Sequence, residues 1–200
     1  MFPTVRLAVP DDFPRNVEVI SSAYGARGYC SNLRAEQYLE TNSYALVAEK
    51  DCKVLGTLRV MYDEGMLPAD QVFPKEMAKI REDFLWIAYY GTLGVRPGMW
   101  KFSIGVALIQ EAIRLGLDDV LLDAAVIVVN PHHVNFYLAH GFEEVARCDD
   151  VPGLASEQLE SGKIPGVLML GTRERLTAQY EKRLARQQPK LLTEIEVHKD

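Results

Sequence analysis

The chain reads as an α/β (α+β) protein with a mixed, mostly antiparallel central sheet and helices on both faces. Three observations predict this. The second half alternates strand, helix, strand, helix and strand, after an N-terminal hairpin, "SYALVAEKDCKVLGTLRVMYD". The segment "DVLLDAAVIVV" is almost continuously apolar, the pattern of a sheet centre covered on both faces. The helix before it, "SIGVALIQEAIRLG", is apolar around most of its circumference and ends at Gly116, so burial is expected.

The elements follow in order. "VRLAVP" is a short strand. "DDFPRNVEVISSAYGARGY" offers Asp as a cap and a helix ending near Gly25, and "NLRAEQYLE" has the makings of a second short helix. The hairpin pivots on a polar "KDCK" turn. "EGMLPADQVFPKEMAKI" is loop plus a short helix with Pro74 in its first turn. "DFLWIAYYGTLGVRP" is a strand in which Gly91 and Gly94 mark a bulge or a close backbone approach. In "VVNPHHVNFYLAHGF", Asn130 caps, Pro131 takes the first helical position and Gly141 gives a left-handed exit. "FEEVAR" and "IPGVLMLG" are the last strands; "TRERLTAQYEKRLARQ" is an amphipathic helix, and the tail "PKLLTEIEVHKD" is loosely held.

A length of 200 residues suits one domain with a sizeable core, and 48% apolar with 25% charged residues is ordinary for a soluble protein. A net charge of -6 argues against nucleic acid as the main partner. Cys30, Cys52 and Cys148 have no CxxC spacing, which argues against a disulfide framework or a zinc site. With no secretion signal and no apolar run long enough for a membrane span, the expected location is the cytoplasm.

Asn130, Tyr137, Gly141 and Phe142 stand where the superfamily of GCN5-related N-acetyltransferases (GNAT) often carries Asn, Tyr seven residues on, and Gly-Phe beyond. The segments "AYGARGY", "LPADQVFPKEMAKIR" and "VNPHHVNFYLAHGF" narrow this likeness, spanning Val5 to Leu170. The chain resembles the long-chain N-acyl amino acid synthases, the N-acyl tyrosine type above all, which are akin to acyl-homoserine lactone synthases. The resemblance implies a GNAT-like acyltransferase domain over 1–171, with the helix and tail of 172–200 belonging to it. It also implies a long-chain acyl group moved from an acyl carrier protein thioester to the α-amine of a free amino acid, best guessed as tyrosine. No cofactor is permanently bound; the acyl-phosphopantetheine of the carrier is a substrate.

The superfamily's phosphate loop is Arg or Gln, two residues, Gly, one residue, then Gly or Ala, ahead of the buried helix. Here the run is "WKFSIG": Trp100 replaces the Arg or Gln, Ser103 the first Gly, and Gly105 is kept, with Lys101 inside the loop. A weakened pyrophosphate grip favours a carrier phosphodiester over coenzyme A; the alternative is a drifted loop that still binds coenzyme A. Asn130 is expected at the pantetheine arm, in addition to its cap. Arg96 and Lys101 are the expected docking cations for an acidic carrier, ahead of the basic C-terminal helix.

Tyr137 is either the general acid for the leaving thiolate or a packing residue. Backbone N–H groups around Leu93 and Val95 would polarise the thioester carbonyl. The strand has no carboxylate between Phe84 and Pro97, so the base is sought in Tyr89 or Tyr90 through a water, in Glu18 ahead of Glu36, or in bulk water. Arg27, Arg59 and Tyr90 are the expected acceptor-side residues, a surface position being the commoner fate of such arginines. Trp86, Leu85, Met61, Met66 and Phe102 could line an acyl tunnel or simply be core. A coenzyme A-dependent N-acetyltransferase, a homoserine lactone synthase and a non-catalytic acyl- or carrier-binding module stay open as alternatives.

Overall fold

In the computed structural model, residues 3–24, 43–62, 67–98, 101–118, 122–149, 151 and 165–197 are described. The strands are β1 (Thr4–Leu7), β2 (Ser43–Lys50), β3 (Lys53–Tyr62), β4 (Ile87–Val95), β5 (Ala124–Val129), β6 (Glu143–Cys148) and β7 (Gly166–Thr172). The helices are α1 (Phe13–Tyr24), α2 (Pro68–Val72), α3 (Pro74–Asp83), α4 (Lys101–Asp118), α5 (Val134–Leu138) and α6 (Arg173–Val197). The strands form one sheet in the order β1-β2-β3-β4-β5-β7-β6. Every pairing is antiparallel except β4 with β5. The mixed, mostly antiparallel sheet expected from the sequence is what forms.

Alternation along the strands sends one set of side chains to each face. Leu46, Leu58, Val60, Ala88, Tyr90, Ala125 and Met169 form a core with α4, Tyr137 of α5 and Leu176 of α6. On the opposite face Ile87, Tyr89, Val126 and Leu168 pack with Phe73, Met77 and Ile80 of the α2–α3 segment. Beside them α1 lies over β3 and β4 and reaches the edge of β2 through Phe13 and Ile20 on Ala45 and through Val19 on Val47. Covering both faces explains why the central strands lack a clean apolar–polar alternation.

The hairpin turns on Asp51 and Cys52, both at positive φ (50° and 59°), the conformation a tight two-residue turn needs to match the sheet's twist. Gly116 does not end α4, as its type suggested, but lies inside it. A Cβ there would come within 2.5 Å of Leu122 Cδ2, so the bare glycine admits the leucine that leads into β5. β5 starts later than the apolar run, at Ala124, because Asp123 is used as a connector: its carboxylate accepts from the backbone N–H groups of Leu85 and Trp86. The C-terminal helix extends to Val197, into the segment expected to be loose. The helix expected over "NLRAEQYLE" lies outside the described residues. No described helix is long and apolar enough to cross a membrane.

Candidate active site

The site grows from an irregularity in β4. Leu58 pairs with Leu93 and Val60 with Tyr90, so Arg59 alone on β3 opposes both Gly91 and Thr92 on β4. The extra residue makes a bulge, and glycine suits it: a Cβ on Gly91 would lie 3.3 Å from Met61 Cε and 3.4 Å from the Arg59 carbonyl oxygen. The bulge also resets the alternation. Before it Tyr90 faces α4; after it Leu93 and Val95 do, while Gly94 faces α1 and lies against Ile20.

Next to the bulge the sheet parts. β4 and β5 pair only over Ile87–Tyr89 and Ala124–Val126. Among the described residues, Tyr90–Val95 and Ile127–Val129 have no pairing across this boundary. Backbone groups of Leu93 and Val95 that point toward β5 therefore border a wedge-shaped opening in the middle of the sheet.

The far end of the wedge is flanked by α4 and α5. β5 runs into Asn130, whose side-chain oxygen accepts from the His132 N–H at 3.0 Å and so caps the turn Pro131–His133. α5 follows and brings Tyr137 inward, 4% exposed. Its ring meets Phe136 and Phe142 edge-on, with centroids 5.0 and 5.8 Å away. Gly141 then exits at φ 97°. Gly105 on the first turns of α4 passes beside Phe136, its absent Cβ 3.7 Å from that ring, and Phe102 meets Phe136 edge-on at 5.9 Å. α4 begins at Lys101, Ser103 is exposed on its first turn, and the helix N-terminus is thus held next to Tyr137's helix.

The other expected residues divide by face. Tyr89 lies on the α2–α3 side, close to the bulge, its ring edge 3.6 Å from where a Gly91 Cβ would be. Arg59, 8% exposed, opposes the bulge from β3. Tyr90 departs from both expectations placed on it, as an acceptor-side residue and as a base through water. It is 1% exposed in the α4-side core, its ring edge-on to Phe142, and its hydroxyl near Gly116. Burial holds its phenol well above the usual range, so it stays neutral there. Glu18 and Arg96 meet at the outer end of β4, where Arg96 donates to the Glu18 carboxylate at 3.0 Å and to the Val54 carbonyl oxygen at 3.1 Å. Glu18 is two-thirds exposed, so this pair is a surface contact rather than a buried base. Trp100, Arg27, Glu36 and Met66 lie outside the described residues. Leu85, Trp86 and Phe102 are at the surface, at 81%, 44% and 73% exposed, while Met61 is half-buried beside the bulge.

Three buried polar residues were not singled out from the sequence: Asn16, Thr57 and His140. Asn16 falls on the apolar stripe of α1 with Phe13 and Ile20, and a polar residue at that spacing was the available signal. His140 donates from Nδ1 to the Phe136 carbonyl oxygen at 2.7 Å and lies against the Phe136 ring. Burial lowers its pKa to about 4, so the imidazole is neutral near pH 7 and braces the helix that carries Tyr137.

A family model described as "N-acyl amino acid synthase FeeM" matches residues 17–159, which include the bulge, the wedge and Tyr137. The chain belongs to this family. It is an N-acyltransferase, an N-acyl amino acid synthase with the GNAT fold. Among solved structures it is similar to FeeM, an N-acyl amino acid synthase from uncultured soil microbes, with TM-score 0.73 and 18% identity over 88% of this chain and 94% of that one. It is also similar to an acetyltransferase of the GNAT family from Streptococcus pneumoniae, with TM-score 0.62 and 17% identity over 85% and 99% of the two chains. A third likeness is to aminoglycoside 6'-acetyltransferase type Ii, with TM-score 0.58 and 12% identity over 85% and 97%. A comparison with curated proteins found no match. These neighbours establish the fold, and the family model carries the assignment to acyl transfer onto an amino acid.

Proposed function

We propose that this synthase moves a long-chain fatty acyl group from the phosphopantetheine thioester of an acyl carrier protein to the α-amine of an amino acid, tyrosine first among the candidates. The observation that carries the choice of donor is the run "WKFSIG", which lies not in a loop ahead of α4 but, from Lys101 on, in the first turns of the helix itself. The N-terminus of α4 and Gly105 suit one phosphate, while Trp100 and Ser103 stand where a pyrophosphate cradle has its cation and its glycine.

In this reading the thioester lies in the wedge between β4 and β5. The amine attacks the carbonyl carbon, a C–N bond forms, and the developing oxyanion is met by backbone N–H groups near Leu93 and Val95. The C–S bond then breaks as Tyr137 gives its hydroxyl proton to the departing thiolate, and the extra proton on the newly acylated nitrogen passes through water to restore the Tyr137 phenol. The acceptor approaches from the α1 face, where Arg59 offers a cation and Tyr89 a hydroxyl beside the bulge. The amine loses one proton to water before attack, because only its neutral form is a nucleophile. Asn130 holds the turn beneath the pantetheine arm, and Arg96 with Lys101 meets the acidic carrier at the cleft mouth. Glu18, already paired with Arg96, is better placed to tune that surface than to act as a base.

The test is direct. The protein is incubated with acyl-carrier protein, or the matching acyl-coenzyme A, and each of the twenty amino acids, and N-acyl products are read by mass spectrometry. A carrier donor far superior in kcat/KM is the expected result; equal use of both donors overturns the reading of this run. An Arg96→Glu variant should raise the apparent KM for the carrier, with an effect that shrinks as salt screens it.

A further inference from the structure

A second polar cluster lies beneath α1. At its start Phe13 packs on Ala45 of β2, and further along Ile20 lies on Gly94 of β4, where a Cβ would come within 3.1 Å of Ile20 Cγ1 and 3.3 Å of Ile20 Cα. Asn16 falls between these contacts on the same helical stripe. β3 is the strand between β2 and β4, so Asn16 sits over β3. Leu58 and Val60 belong to the α4 side, which leaves Thr57 and Arg59 as the polar β3 residues turned toward α1, beside Val54, which packs with Val19. In register, Thr57 faces Val47 and Gly94, and Arg59 faces Ala45 and the bulge.

All three polar residues are buried, Asn16 and Thr57 at 0% exposure and Arg59 at 8%. Asn16 Nδ2, Asn16 Oδ1 and Thr57 Oγ1 are sealed from solvent with no hydrogen-bond partner among the described residues. Unpaired buried polar groups are costly and rare, and three in one layer mark a site that something else completes. The surrounding residues, Ala45, Gly91 and Gly94, are small, and the layer begins at the bulge where the acceptor must react.

We propose that Asn16, Thr57 and Arg59 form the binding site for the charged end of the acceptor amino acid, its α-carboxylate above all. This rests on the reading that the acceptor is an amino acid approaching from the α1 face. A guanidinium and a hydroxyl suit a carboxylate. An amide with both ends unpaired complements the acceptor oxygens and donor nitrogen that an amino acid presents side by side. The site selects a free carboxylate next to the amine and rejects amides and simple amines.

The experiment compares wild type with Thr57→Val, which keeps the shape and loses the hydroxyl, and with Asn16→Leu. For an amino acid that the wild type acylates, KM and kcat are measured for the free acid and for its carboxamide, alongside the melting temperature without ligand. The expected result is a wild type that prefers the acid, and variants whose acceptor KM rises about 10-fold or more while KM for the thioester donor holds. The acid-over-amide preference collapses with it, and the melting temperature stays level or rises, as it does when a functional polar group leaves a core. Unchanged acceptor KM and unchanged preference in Thr57→Val overturn the proposal, whatever becomes of Asn16→Leu. A wild type that acylates acid and amide equally overturns it too, while leaving the synthase reading intact. A wild type that acylates no amino acid removes that reading and this one together.

Discussion

Replacing Tyr137 with phenylalanine separates the two roles open to this residue. The substitution removes one oxygen and leaves the ring in contact with Phe136 and Phe142, at centroid distances of 5.0 and 5.8 Å. Packing is therefore retained, and the structural cost is limited to one buried hydroxyl, about 1 kcal/mol. For a chain of this size that lowers the melting temperature by roughly 2–4 °C. Loss of a general acid is larger: a 100-fold fall in kcat is worth about 2.7 kcal/mol. The assay measures kcat/KM with acyl-carrier thioester at saturating amino acid, then repeats it with an acyl thioester of a more acidic thiol. A more acidic thiol leaves without needing a proton, so the ratio of wild type to variant should shrink toward one. A variant that turns over at the wild-type rate but melts a few degrees lower refutes the proton-donor role. A deficit that is the same for both leaving groups refutes it as well and points to positioning of the thioester.

Further predictions concern stability. Gly141→Ala forces a side chain into a backbone at φ 97° and brings its Cβ within 2.9 Å of the Arg175 carbonyl oxygen, so urea denaturation should show a loss of about 2–4 kcal/mol; a loss under about 0.5 kcal/mol would mean that α6 yields freely. Cys52→Gly relieves a non-glycine residue at φ 59° in the hairpin turn and should gain roughly 0.5–1 kcal/mol, measured in the same way. His140 has its folded pKa at about 4, below the ordinary 6.5. The unfolded chain therefore binds the proton first as pH falls, and up to about 3 kcal/mol of stability is lost between pH 6.5 and 4. His140→Gln should flatten this part of the stability-versus-pH curve; an unchanged slope would show that other groups set it.

What the sequence by itself determined is what neighbours along the chain control. The Asn130 cap, Pro131 and the left-handed Gly141 were legible because each answers a backbone demand set within a few residues. The hairpin around Asp51–Cys52, the buried character of α4 and the absence of a carboxylate in β4 were legible for the same reason. The glycines of β4 announced an irregularity, but not which way it would turn the strand. Only the tertiary structure decided that, since a bulge exists relative to a partner. Opposite Arg59, the extra residue at Gly91–Thr92 puts Leu93 on the same face as Tyr90, and Tyr90 itself goes to the core while Tyr89 stays beside the bulge. Distance along the chain hid the rest. Glu18 and Arg96 are 78 positions apart and meet because α1 lies across β4. Asn16 and Thr57 look like ordinary polar residues in sequence, and they become a buried layer only when α1 is laid over β3. Gly116 reads locally as a helix stop, yet Leu122 needs its bare Cα inside the helix, and a packing contact outweighs a residue's local preference.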